Sequence, residues 1–137
     1  PLSAERLAQL GVDDLEMLDA FRVRYCDLQD SLGNKTFRSL LKLEEEQPGS
    51  NLDTLNKMEK RSIIYSFDEW KELRDIRNLF SHDYPETDEE NAQALTIAYS
   101  NTLKLVQTVD NVIKYITDKV QIPMEQFPLL LPIRGET

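Results

Sequence analysis

The sequence predicts an all-α fold, an antiparallel helical bundle of four to five helices, and three observations carry that prediction. Apolar residues recur at three- and four-residue steps through most of the chain, the period of a helix face rather than of a strand. Two Ser/Thr-x-x-Glu boxes, Ser66-Phe67-Asp68-Glu69 and Thr87-Asp88-Glu89-Glu90, mark helix starts. The 137 residues hold only 4 Gly and 6 Pro, with 40% hydrophobic and 30% charged residues, and no stretch alternates like a strand. That length suits a single domain with one core.

In chain order, Ser3 to Leu10 reads as a short helix whose C-terminal turn suits Gly11. From Asp13, the residues Leu15, Leu18, Phe21 or Arg22, Tyr25, Leu28 and Leu32 form the apolar face of a long helix that should end at Gly33-Asn34. A third helix should run from about Thr36 to Glu46, with Phe37, Leu40, Leu41 and Leu43 on its apolar side. Gln47-Pro48-Gly49-Ser50-Asn51 is the clearest loop, after which Asp53 or Thr54 starts a helix through Leu55, Met58 and Ile63. Ser66 begins the next helix, which carries Trp70, Leu73, Ile76 and Phe80; Pro85 disfavours helical geometry at Tyr84, so this helix should stop near His82 or Asp83. Thr87 opens the last helix, which carries Ala94, Leu95, Ile97, Ala98, Leu103, Leu105, Val109, Val112, Ile113 and Ile116, to about Lys119. Tyr25 and Tyr65 are placed in the core. Residues 1–120 are thus the bundle. Residues 121–137 form an apolar tail too rich in proline for a helix, Ile122-Pro123-Met124 and Phe127-Pro128-Leu129-Leu130-Leu131-Pro132-Ile133, expected to pack on the bundle or on a partner.

Charge and composition exclude several function classes. A net charge of −9 argues against broad, sequence-independent nucleic-acid binding, which needs many Lys and Arg, though it leaves room for a local site. No apolar run approaches the roughly 20 residues of a membrane span, and no signal-peptide pattern opens the chain, so the cytoplasm is the expected compartment. The single Cys26 fits a reducing compartment and reads as a small buried hydrophobe rather than a catalytic thiol. One histidine and no cysteine cluster cannot build a zinc site, and neither metal nor cofactor is expected.

The chemistry concentrates in Arg77-Asn78-Leu79-Phe80-Ser81-His82-Asp83-Tyr84, which holds the only histidine of the chain. Taken singly, His82 could merely cap a helix end, Arg77 could pair with Asp75 or Asp83, and Tyr84 could pack under the following loop. Taken together, the residue types suit phosphate chemistry. An imidazole exchanges protons near neutral pH, and a guanidinium binds phosphate bidentately and stabilises added negative charge in a five-coordinate transition state. Such a pair suits attack of an RNA 2′-hydroxyl on its adjacent phosphate without a metal. Asn78 and His82, four apart, share a helix face. Arg77 and His82, five apart, sit about 140° from each other on an ideal helix, so they converge only if the last turn loosens or a second chain contributes.

This stretch resembles the Arg-x4-His-x-Tyr signature of the HEPN superfamily, in its HepT-like branch, and matches at Arg77, His82 and Tyr84, with Asn78 as the polar residue many members carry. Phe21 to Lys35 is similar to the long second helix and glycine turn of some HepT-like proteins. The resemblance implies a HEPN-like bundle over roughly residues 10 to 120. It further implies the toxin of a type VII-like HEPN/MNT toxin–antitoxin module, a prokaryotic, metal-independent endoribonuclease working as a homodimer on an RNA substrate. His82 would be the acid/base, Arg77 the phosphate and transition-state ligand, Asn78 an orienting partner, with Arg74 and Ser81 as further substrate-binding candidates. The partner, a minimal nucleotidyltransferase antitoxin, would transfer AMP from ATP onto Tyr84 and silence the toxin. The other reading is a non-catalytic substrate- or nucleotide-binding subunit of a nucleotidyltransferase complex.

Overall fold

Short polar side chains set most of the helix starts. Ser3 Oγ accepts from the Arg6 amide at 3.2 Å and opens α1 (Ala4–Ala8). Ser50 and Asp53 cap each other reciprocally, Ser50 N to Asp53 Oδ2 at 3.0 Å and Asp53 N to Ser50 Oγ at 3.1 Å, at the head of α4 (Asn51–Lys60). Ser66 Oγ accepts from the Glu69 amide at 3.0 Å before α5 (Phe67–Ser81). Thr87 Oγ1 accepts from the Glu90 amide at 3.1 Å before α6 (Asp88–Tyr115), whose first turn is acidic, as the helix dipole favours. Between the first and second of these starts lie α2 (Val12–Ser31) and α3 (Phe37–Leu43). The structure, a computed structural model, describes residues 2–81, with the backbone alone of Ser81, and 87–120. Among these residues every regular element is helical, and the fold is an all-α bundle.

Two expected breaks are absent. Gly11 is extended, with φ −75° and ψ 174°, and begins α2 instead of closing α1, which Gln9 ends. Gly33-Asn34 does not stop α2: Leu32–Thr36 is a π-helical turn that joins it to α3 as one continuous helix from Val12 to Leu43. The reason is in the core. Tyr25, Gln29, Gly33, Phe37 and Leu41 all face inward at steps of four, and on an ideal α-helix each such step drifts about 40°. A π turn holds more residues per turn and winds that drift back. Gly33 has no side chain to place, and the Trp70 indole lies against its Cα, 3.5 Å from where a Cβ would stand.

The main core gathers Phe37, Leu41, Leu55, Met58, Leu73, Leu105 and Val112, all essentially inaccessible, around Trp70, whose ring sits 5.0 Å from that of Phe37. A smaller cluster of Leu7, Ala92 and Leu95 joins α1 to the start of α6, with Phe21 and Phe80 packed against it. Tyr25 meets Leu73, and Gly33 meets Trp70, so α5 runs antiparallel to α2. Tyr65 is corrected: it lies 83% exposed in the turn between α4 and α5, not on an apolar helix face. Leu15 and Leu43 are likewise exposed, with no neighbour among the described residues covering the N-terminal end of α2 or the last turn of α3 on those sides, and so are Ile97 and Leu103 of α6. Ile63 is buried but lies beyond α4, and α4 itself starts at Asn51, before the expected Asp53 or Thr54. Helix α6 passes into a second π turn, Ile116–Val120. No described helix is long and apolar enough to cross a membrane. The tail, 121–137, lies outside the described residues.

Candidate functional site

The first five residues of the motif, Arg77 to Ser81, form the C-terminal end of α5, and what positions that end is the seam with α2. Phe80 anchors it, its ring edge-on to Tyr25 at 5.9 Å, while the buried Tyr25 hydroxyl donates to the Leu73 carbonyl at 3.1 Å. Burial raises the Tyr25 pKa well above the ordinary phenol value, so this donor keeps its proton. At the next residue of α2, the Cys26 thiol donates to the Arg77 carbonyl at 3.8 Å. Burial, tempered by the nearby Arg77, pushes the Cys26 thiol up as well, which suits a packed thiol and not a nucleophile.

Arg77 is half-buried in this seam, and its partner among the described residues is Asp30 of α2, not Asp75; Asp83 lies outside the described residues. The Nε donates to Asp30 Oδ1 and the Nη2 to Asp30 Oδ2, both at 2.8 Å, a side-on bidentate pair. Those hydrogen bonds outweigh the opposing effect of burial and raise the Arg77 pKa, so the guanidinium is cationic at every working pH. Asp27 and Asp30 both act on Arg77 electrostatically, which makes its surroundings on the α2 side acidic.

The α2 face that meets the motif is a polar stripe at four-residue steps, Arg22, Cys26 and Asp30. Arg22 donates from Nη1 to Asp19 at 2.9 Å and from Nη2 to Asn91 of α6 at 2.8 Å, and its buried Nε has no partner among the described residues. Sequence reasoning missed Asp30. Its only local signal is that stripe, visible once Phe21 to Lys35 is read for its polar as well as its apolar face. Of the sequence-predicted site residues, Arg77 and Arg74 lie half-buried on α5 and Asn78 is exposed. His82, Asp83 and Tyr84 lie outside the described residues, as does the side chain of Ser81. Among the described residues no group of three His, Cys, Asp or Glu side chains could hold a metal ion.

Chemically, the described part of the site offers an arginine oriented by a carboxylate, at a helix end that the sequence continues to its only histidine and to Tyr84. That arrangement can receive a phosphate. No family model, no curated protein and no solved structure matches this chain.

Proposed function

We propose that this chain is a HepT-like protein of the HEPN superfamily, the toxin of a two-gene module, and a metal-independent endoribonuclease that a minimal nucleotidyltransferase silences by adding AMP to Tyr84. The observation that carries this reading is the run Arg77-x4-His82-x-Tyr84, whose arginine stands at the end of α5 in an all-helical bundle, held by a carboxylate in a defined orientation. In this reading His82 takes the proton of the attacking 2′-hydroxyl and returns it to the leaving 5′-oxygen. Arg77 binds the phosphate and the charge it gains, Asn78 orients the substrate, and Arg74 and Ser81 add contacts to the RNA. A second copy of the chain supplies the facing motif of a homodimer.

Cleavage of a labelled RNA by the purified, unmodified protein in excess EDTA tests this. Products ending in a cyclic or 3′-phosphate are expected, with roughly a hundredfold or greater loss in His82→Ala and in Arg77→Ala. Co-expression with a minimal nucleotidyltransferase should add one or more AMP masses to wild type and none to Tyr84→Phe.

One observation favours a second reading, a non-catalytic substrate- or nucleotide-binding subunit of a nucleotidyltransferase complex. Arg77 is paired with Asp30 beside Asp27, and the whole chain carries −9. Such surroundings suit one small phosphate-bearing ligand better than a long polyanion. No cleavage and no added mass, together with a stable complex of the two proteins, would decide for it.

A further inference from the structure

A guanidinium presents two forks to an oxyanion, a side-on fork of Nε–H with one Nη–H and an end-on fork of the two Nη groups. In this protein Asp30 holds the side-on fork of Arg77 with both of its oxygens. The pair links residues 47 apart in sequence, across the α2–α5 seam. Its side chains are 26% and 36% exposed. A part-buried pair of this kind contributes modestly to stability, and its two-bond form adds geometric specificity besides. What the geometry does fix is the rotation of the guanidinium plane, with the Arg77 backbone held from the same α2 face by the Cys26 thiol.

We propose that Asp30 is a positioning residue for Arg77: by occupying the side-on fork it leaves the end-on fork to receive a phosphate, and it holds that fork in place before the ligand arrives. The proposal rests on the reading of Arg77 as a phosphate ligand. Two consequences oppose each other. The fixed orientation favours the transition state, whereas the negative charge of Asp30 weakens ground-state attraction for phosphate. Replacing Asp30 by Asn keeps the size, removes the charge and turns an amide donor towards one of the two Arg77 donors. The turnover rate should therefore fall while phosphate affinity does not.

The experiment compares RNA cleavage and inorganic phosphate binding by wild type, Asp30→Asn, Arg77→Lys and the double variant. Asp30→Asn is expected to lower kcat by roughly 10- to 100-fold with KM unchanged or lower, and the double variant to be no slower than Arg77→Lys alone. A kcat within about twofold of wild type, a raised KM, or additive losses would overturn the proposal. Asp30→Ser, smaller and solvated, carries the same expectations should Asp30→Asn fail to fold. The NMR signals of the Arg77 side chain, assigned by their loss in Arg77→Lys, give a readout that needs no turnover. Added phosphate should move the Nη signals and leave the Nε–H signal in place. Displacement of the Nε–H signal, or no response to phosphate at all, would refute the assignment. A wild type that cleaves no RNA but shows the expected phosphate response would sink the ribonuclease reading and leave the role of Asp30 standing.

Discussion

Tyr25, Cys26 and Arg77 meet across one seam, and each holds its partner by a different chemistry. The Tyr25 hydroxyl is buried with one acceptor, the Leu73 carbonyl, and removing it leaves the ring packing against Phe80 intact. Tyr25→Phe should therefore cost about 0.5–1.5 kcal/mol in urea unfolding; a loss several times larger would mean that the ring itself had moved. Cys26 has its pKa raised by burial, so at neutral pH it is a protonated thiol. Its alkylation by iodoacetamide should be slower than that of the unfolded chain and should rise only above the ordinary thiol range, with urea restoring the normal profile. At this scale the sequence announces Tyr25, through its place in the apolar steps of α2, and Arg77, through its motif. Asp30 is silent because what makes it matter is a residue 47 positions away.

Helix ends and joins obey local rules only where no tertiary partner competes. Gly33 reads as a stop in isolation, since glycine so often closes a helix, yet Trp70 claims the space beside it and the helix continues. Gly33→Ala should then be neutral or stabilise by up to about 1 kcal/mol, because its Cβ would meet Trp70 at an ordinary 3.5 Å and alanine is the better helix former. Were Gly33 a left-handed cap, the same change would destabilise, so thermal unfolding of this one variant separates the two. Gly33→Leu should destabilise by about 1–3 kcal/mol through collision with the indole. The α4 start is the contrary case. Gly49 is left-handed, with φ 72°, and a Cβ there would stand 2.6 Å from the Asp53 carboxylate, so Gly49→Ala should disrupt the cap. Asp53 has its pKa lowered first by the Ser50 backbone N–H and then by the Ser50 side chain. A depressed carboxyl pKa contributes stability that is present above the ordinary Asp value and lost as pH falls through the lower, folded one. Amide exchange at the head of α4 should therefore quicken only in that acid window, and Ser50→Ala, which removes the hydroxyl but keeps the backbone N–H, should weaken the effect without abolishing it.

For the molecule as a whole, one polar knot joins the C-terminal ends of α3, α4 and α6, helices that also share the main core. Arg61, just past α4, pairs with Glu44 and Glu46 beyond α3, and Tyr115 at the end of α6 donates to the same Glu44 at 2.8 Å. Burial works to lower the Arg61 pKa, but the hydrogen bonds to Glu44 and Glu46 prevail and raise it. Removing the cation strands Glu44 and part of the Tyr115 site, so Arg61→Met should cost about 1–3 kcal/mol in urea unfolding. Trp70, the only tryptophan and 2% exposed at the junction of α2, α3 and α5, reports on the whole core. Its fluorescence and far-ultraviolet circular dichroism should change at one urea concentration in wild type and in Arg61→Met alike. Non-coincident transitions in the variant would show that the knot joins two separable parts.

Helix content, the positions of α5 and α6 and most of the buried apolar set were written in the sequence by itself. Period, caps and proline act within a few residues, and the chain displays them directly. The Arg77–His82–Tyr84 spacing was equally plain. Only the tertiary structure decided that Gly33 continues a helix, that Tyr65 faces water, and that Asp30 takes Arg77. Each of those outcomes depends on which distant surface arrives to fill, cover or pair a position, and residue type alone does not encode that arrival.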